Sequence, residues 1–272
     1  MEKFSVLMSL YIKEKAAYFE ECIKSILNQT VLPDEIVIVK DGPLTPELEA
    51  VLTSYVEADE GRYKIVPLEV NVGLGAALAE GILHCSNEIV ARMDTDDVAV
   101  PDRFEIQLQK FEDNPALDIC GSHVLEFEGN IQNVVAQRKV PLDDKSIKKY
   151  QKKRDAFNHM TVMFKKSAVL RAGNYRACPL MEDSLLWVNM FLSGTTAENV
   201  DGFLVYARIG KDMFERRGGL SYYKKYLAGR KQIYKTGYIN FFEYHMSLFV
   251  QFIVCIMPNK LRGMIFKKFL HR

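Results

Sequence analysis

Val90-Ala91-Arg92-Met93-Asp94-Thr95-Asp96-Asp97-Val98-Ala99-Val100-Pro101-Asp102-Arg103 is the stretch on which the reading of this chain turns. A largely apolar run, residues 89–93, stops abruptly at Asp94, Asp96 and Asp97. Carboxylates this close repel one another unless a positive charge sits between them, and at a strand end the natural candidate is a divalent cation carrying a phosphorylated ligand. Hard oxygen ligands suit Mg2+ or Mn2+, which keep waters and take their remaining ligands from a diphosphate. The bland alternative is a solvated acidic turn capping the helix that opens at Pro101. The position at the end of a buried strand favours the functional reading.

Outward from this stretch, residues 4–10, 35–39, 63–67, 88–93 and 118–121 read as strands. Helical patterns lie between them, over residues 18–27, 45–58, 75–84 and 101–111. Thr45-Pro46-Glu47 supplies a cap, a first-turn proline and an acid, and Asn114-Pro115 stops the fourth helix. The alternation predicts an α/β fold, a Rossmann-like, mostly parallel sheet with helices on both faces. Such sheets bind ligands beyond the carboxyl ends of their strands. Three polar clusters fall there: Ser9-Leu10-Tyr11, Asp41-Gly42-Pro43 and residues 94–97. Beyond Gly121 the pattern changes to a hairpin over 123–137, a basic helix over 145–154, a strand over 160–164, a helix over 182–192 and a strand over 203–209. From Leu220 to Met257-Pro258 it is helical.

Composition excludes several classes. The chain has 272 residues, 48% hydrophobic and 26% charged, enough for a sizeable core. Residues 4–10 read as a buried strand and not as a leader. Cys22, Cys85, Cys120, Cys178 and Cys255 are scattered and never form a Cys-x-x-Cys pair, which fits reduced thiols in the cytosol and no zinc or disulfide framework. Net charge is +1, but residues 220–272 hold ten Lys/Arg against one acid, Glu243. A basic tail behind an acidic body points to an anionic surface, and no nucleic-acid partner is expected.

Other motifs carry two readings each. Asp41 is either part of an Asp-Gly turn or an acceptor for a nucleobase N–H. Tyr11 is either a core aromatic or a ring that stacks on that base. Asn71-Val72-Gly73-Leu74-Gly75-Ala76 has the look of a dinucleotide fingerprint but follows the third strand and lacks the third glycine; it is a close helix entry, with backbone N–H groups that could face a phosphate. Glu182 and Asp183 are either first-turn acids favoured by the helix dipole, with Leu186 and Trp187 in the core, or include a general base.

In this order the motifs resemble the family-2 glycosyltransferases, inverting enzymes of the GT-A fold, over roughly residues 3–215. The resemblance rests on Ser9-Leu10-Tyr11, Ser25-Ile26-Leu27-Asn28-Gln29-Thr30, Asp41-Gly42, Asn71-Val72-Gly73, the cluster at 94–97, His159-Met160-Thr161-Val162-Met163-Phe164, Glu182-Asp183 and Arg216-Arg217-Gly218-Gly219. Lys40 and Ala77-Leu78-Ala79 depart from the family pattern, where an aspartate and an arginine are common.

The resemblance implies a nucleotide-sugar-binding half at 1–121, an acceptor-binding half at 122–215, and a basic helical extension at 216–272. Asp97 would bind Mn2+ or Mg2+ directly. Asp96 would touch metal or ribose, and Asp94 would support the cluster. Ser9, Tyr11, Glu14, Asp41, Asn71 and Gly73 would line the donor site, with uracil as the base, and Arg216 and Arg217 would cover the donor phosphates. Asp183 would be the general base, with Glu182 second, and His159 and Trp187 would face a saccharide acceptor.

The apolar run at 241–257 is too short to span a bilayer, which needs about 20 residues. Asn240, Glu243, Ser247 and Gln251 make a polar stripe along it. Beyond Pro258, basic residues alternate with apolar ones from Lys260 to Arg272. Residues 240–272 therefore suit either an anionic membrane surface or packing on the catalytic domain or a second copy of the chain. The membrane option fits a lipid-diphosphate-linked acceptor, surface-polysaccharide assembly, and a cytoplasmic protein held on the inner face of the membrane. The rival readings are a nucleotidyltransferase, which would want a glycine-rich basic loop where Tyr11-Ile12-Lys13-Glu14 stands, a nicotinamide-dependent dehydrogenase, and a non-catalytic nucleotide-binding module.

Overall fold

The computed structural model describes residues 2–210 and 218–258. Its first half is β1 (Phe4–Leu10), α1 (Ala16–Leu27), β2 (Glu35–Lys40), α2 (Pro46–Ala58), β3 (Tyr63–Pro67), α3 (Leu74–His84) and β4 (Ile89–Arg92). These strands pair in parallel in the order β3-β2-β1-β4. Both faces of β1 are covered, so its sequence shows no polar alternation. Val6, Met8 and Leu10 pack with Phe19, Ile23 and Ile26 of α1 on one side. Leu7 packs on the other, with Ala77, Leu78 and Ile82 of α3.

The second half is β5 (Val98–Ala99), α4 (Arg103–Asp113), β6 (Ile119–Phe127), β7 (Val134–Arg138), α5 (Asp144–Gln151), β8 (Met163–Lys165), α6 (Lys166–Arg171), α7 (Glu182–Leu192) and β9 (Ala197–Arg208). β8 pairs antiparallel with both β4 and β6, which extends the sheet to β6, β9 and β5. Two strands are longer than their apolar patterns predict. β6 runs through Ser122 and His123, both buried, with a register shift against β9 at that point. β9 begins at Ala197 because its early polar residues have partners: Asn199 donates to the carbonyls of Pro141 and Ala156, and Glu198 accepts from Lys110. Neither the two-residue β5 nor the six-residue α6 is long enough to show a period.

The remaining described helices are α8 (Gly219–Lys235) and α9 (Phe241–Ile256). Ile233 of α8 and Ile239 join Cys178, Met181, Leu185 and Val188 in a separate core against α7. Of the stripe Asn240, Glu243, Ser247, Gln251, the last three are half-buried and Asn240 is exposed. Asn240 and Glu243 close a capping box, and Ser247 accepts from Arg230 of α8. The outward face is apolar: Phe242 is 69% exposed, Phe249 61% and Ile256 59%. No helix among the described residues is long and apolar enough to cross a membrane. Arg216, Arg217 and the basic stretch from Lys260 to Arg272 lie outside the described residues.

One turn is fixed by a missing side chain. Gly42, just past β2, has φ +84°, and a Cβ there would lie 2.7 Å from the Asn71 amide nitrogen. Gly42→Ala therefore meets both a left-handed backbone and a backbone clash, each with a cost of order 1–3 kcal/mol. It is expected to lower the melting temperature by several degrees, whereas Gly61→Ala, with nothing within 4 Å, leaves it nearly unchanged. Equal melting curves for the two variants would refute the packing argument.

Candidate active site

Strand register brings the three polar clusters to one edge. Leu10 is level with Lys40, and Leu7 with Arg92, so β4 stops short and residues 93–97 cross over the end of β1. The crossing is pinned from several sides. Met93 N–H donates to the Leu7 carbonyl, Cys22 Sγ–H of α1 to the Asp94 carbonyl, and Thr95 Oγ1 to Glu14 Oε2 at 3.1 Å. Beneath it Arg103, fully buried, donates to the Arg92 carbonyl at 2.8 Å and to Gln107 Oε1 at 3.0 Å.

Asp41 anchors the neighbouring loop. Its carboxylate accepts from Asn71 Nδ2 at 2.9 Å and from the N–H groups of Val72 and Gly73 at 2.6 and 3.1 Å. The aspartate thus shapes the Asn71–Gly73 turn that leads into α3, whatever it does toward a base. Ser9 is half-buried beside it, and Tyr11 is 38% exposed at the mouth. In the glycine-rich motif, Gly75 permits contact between the halves: a Cβ there would sit 2.8 Å from Glu182 Cβ.

The acidic loop is a site of concentrated negative charge. Asp97 is 2% exposed; its Oδ1 accepts the Arg208 N–H at 2.7 Å, while its Oδ2 is buried without a partner. Burial, then Asp94 and Asp96, push the Asp97 carboxyl well up. Burial, with Asp94 and Glu14, pushes Asp96 up to about 7. Glu14 is raised too, chiefly by burial. Among the described residues these groups do not close into a cage of three ligands. One buried oxygen with no partner beside a second strained acid fits a Mg2+ or Mn2+ ion that draws its other ligands from a diphosphate and water.

A second acidic cluster lies at the start of α7. Asp183 Oδ1 accepts its neighbour's N–H, from Ser184, at 2.7 Å, and its Oδ2 is 4.0 Å from His159 Nδ1. Burial, then Asp155 and Glu182, push Asp183 up to about 8. His159 Nε2 is 2.8 Å from the Tyr175 hydroxyl, and burial pushes the imidazole well down, so it is neutral. Trp187 requires a correction. It is fully buried, edge-on to Phe157 and His159. It backs His159 and presents no face to a sugar.

Four residues that the sequence reading passed over belong to this site. Arg92, 1% exposed, pairs with Asp94. Asp155 accepts from the Ser184 hydroxyl beside Asp183. Tyr175 holds His159. Arg208 donates to the Asp96 carbonyl at 2.9 Å, pairs with Glu21, and stacks its guanidinium 3.9 Å from the Tyr18 ring centroid. A charge inside an otherwise apolar strand was the available signal for Arg92; the others depend on tertiary contacts.

Residues 5–170 match the profile of Glycosyl transferase family 2. The chain is 37% identical over 273 residues to the UDP-Gal:alpha-D-GlcNAc-diphosphoundecaprenol beta-1,3-galactosyltransferase of Escherichia coli, covering 99% of this chain and 97% of that one. It is also 37% identical over 272 residues to the amylovoran biosynthesis glycosyltransferase AmsE of Erwinia amylovora, covering 97% and 98%. Among solved structures, S. aureus TarS 1-349 in complex with UDP-GlcNAc superposes with a TM-score of 0.64 at 16% identity, over 97% of this chain and 70% of that one. The mannosyltransferase PcManGT from Pyrobaculum calidifontis, in complex with GDP-Man and Mn2+, gives 0.65 at 14% identity, over 96% and 72%. At such identities the likeness speaks for the fold. Matched along more than half its length and related end to end to named sugar transferases, the chain belongs to glycosyl transferase family 2.

Proposed function

We propose that the protein transfers a hexosyl group, with inversion and with a divalent metal, from a UDP-sugar to a saccharide carried on a lipid diphosphate. The product feeds surface-polysaccharide synthesis at the cytoplasmic face of the membrane. The observation that carries this reading is the presence of two acidic sites, one with a buried unpartnered oxygen at Asp97 and one with an elevated, partly exposed carboxyl at Asp183. The names of the Escherichia coli and Erwinia amylovora relatives support the donor, the lipid-linked acceptor and the pathway class.

The residues divide the work. Tyr11 and the Asp41-anchored turn receive the nucleoside, and Asp97 and Asp96 would hold the cation. When bound, the cation neutralises the charge that gathers on the leaving diphosphate. Asp183 takes the proton of the acceptor hydroxyl at Oδ2 as that oxygen bonds to the anomeric carbon and the bond to the diphosphate breaks. Attack from the face opposite the leaving group inverts the carbon. Neutral His159, held by Tyr175, keeps a polar edge beside Asp183 without claiming its charge.

The outward face of α9 and the exposed lysines of α8, among them Lys224, Lys225 and Lys231, together suit an anionic lipid surface. Exchanging Phe242, Phe249 and Ile256 for serine is expected to lower the fraction bound to anionic vesicles without lowering the melting temperature. Unchanged vesicle binding would remove the membrane from this reading.

Asp183→Asn is expected to cut kcat by about 10²–10⁴ while UDP affinity in Mn2+ stays near normal. Joint loss of turnover and binding would count against Asp183 as the base. An acid is useless as a base while it carries its proton, and Asp183 keeps its proton up to about 8. Consequently kcat/KM is expected to rise with pH toward about 8 and then level. A profile already flat above the ordinary carboxylate range would contradict the assignment.

A further inference from the structure

Ser184, the residue after Asp183, is 4% exposed and is bound on two sides. Its backbone N–H donates to Asp183 Oδ1 at 2.7 Å. Its hydroxyl donates to Asp155 Oδ1, 29 residues away in the chain, and accepts from Gln151 Nε2 at 2.9 Å. The same Gln151 nitrogen lies 3.3 Å from Asp155 Oδ1, and Gln151 Oε1 accepts the Ala156 N–H at 2.8 Å. Donors and acceptors close without conflict. The hydroxyl has one proton and gives it to the Asp155 oxygen, because an amide NH2 can only donate to it.

A buried polar network is costly when incomplete, and a plain helix-to-helix contact is served as well by apolar side chains. This network instead fixes one loop and one helical turn. Gln151, 1% exposed, ends α5 and ties the following loop back to itself at Ala156. Arg230 of α8 adds a hydrogen bond to the Lys152 carbonyl of the same loop. Asp155 is therefore held from both sides, and it holds the first turn of α7 through the Ser184 hydroxyl. With Ser184 fixed, its N–H occupies Asp183 Oδ1. The other oxygen, Oδ2, is left on a side chain 21% exposed, 4.0 Å from His159 Nδ1.

We propose that Asp155 is a positioning residue for the base: through the Ser184 hydroxyl it locks the first turn of α7, so that Asp183 presents Oδ2, and not Oδ1, to the acceptor hydroxyl. The inference rests on Asp183 being the base and adds how that base is aimed. The same placement sets a second acid beside the base. The titratable and charged groups around Asp183 are Glu182 on α7, Asp155 and His159 between α5 and β8, Tyr175 and Cys178 between α6 and α7, and Arg92 at the end of β4. Tyr226 and Arg230 of α8 bear on Asp155 in turn. After burial, Asp155 contributes most to keeping the proton on Asp183, ahead of Glu182.

The test compares Ser184→Ala with Asp155→Asn, each checked for folding by thermal denaturation and for donor-site integrity by UDP binding in Mn2+. Turnover is read as UDP release with the hexosyl donor and lipid-diphosphate saccharide of the proposed reaction. Ser184→Ala removes the link and is expected to lower kcat by about 10–10²-fold while UDP affinity stays unchanged. Asp155→Asn keeps an oxygen for the Ser184 hydroxyl and removes the acid. The acid limb of its kcat/KM profile is expected to move downward by about one pH unit, a roughly tenfold relative gain at about pH 6. A tie that serves only to join α5 to α7 would leave that limb in place. Wild-type kcat in a folded Ser184→Ala, or an unshifted limb in Asp155→Asn, would overturn the role of Asp155, and the second arm decides if Ser184→Ala does not fold. A wild-type profile without an Asp183-dependent limb would instead overturn the base assignment beneath it.

Discussion

The constraint on which this structure depends is the repulsion among carboxylates gathered at the carboxyl edge of one sheet. Glu14, Asp94, Asp96 and Asp97 crowd together in one group, and Asp155, Glu182 and Asp183 in another. Desolvation favours the neutral form of Glu14, Asp96, Asp97, Glu182 and Asp183, and neighbouring acids add to the effect. The fold answers with guanidinium groups and N–H donors at chosen points and leaves a residue of uncompensated charge. That uncompensated charge is what a cationic or proton-donating ligand would relieve.

Arg208 shows how the donor-side charge is contained. From the end of β9 it offers its backbone N–H to Asp97 and its side chain to the Asp96 and Gly129 carbonyls and to Glu21. Its guanidinium also lies between the rings of Tyr18 and Phe127. The acidic loop is thereby fastened to α1, β6 and β9 at once. β5 makes the same connection through the backbone, pairing Val98 and Ala99 with Tyr206 and Val205. Asp96 and Asp97 are held by the far edge of the sheet as well as by the strand that delivers them.

Much of this was legible from the chain alone, for a definable reason. The first half is a run of local decisions: apolar strands buried on both faces, helices with caps and breakers, and polar residues at strand ends, which converge by topology in a parallel sheet. Ser9, Asp41 and the acids at 94–97 therefore met as expected. The second half depends on long-range pairing, and there the reading failed where a polar residue was satisfied far away. Asn199 hid the first half of β9, because its amide is bound to Pro141 and Ala156. Trp187 looked available because an indole at a helix start can face either way, and only Phe157 and His159 determine that it faces inward. Arg92 was in full view inside the motif and was absorbed into an apolar run.

The C-terminal helices bear on the acids around Asp183 through the same logic. Gly229 lets α8 approach so closely that a Cβ would lie 2.5 Å from the Pro179 carbonyl, just ahead of the helix that carries Asp183. Arg230, 3% exposed, joins the Lys152 carbonyl to Ser247 of α9, and Lys152 lies in the segment that leads to Asp155. Asp155 in turn holds the Ser184 hydroxyl beside Asp183. Ser247 and Glu243 of α9 are thus engaged by Arg230 and Lys152, while much of its apolar surface faces out. An ordinary amphipathic surface helix would turn the other way. The arrangement makes α8 and α9 a support for the start of α7 and leaves an apolar face that water alone satisfies poorly.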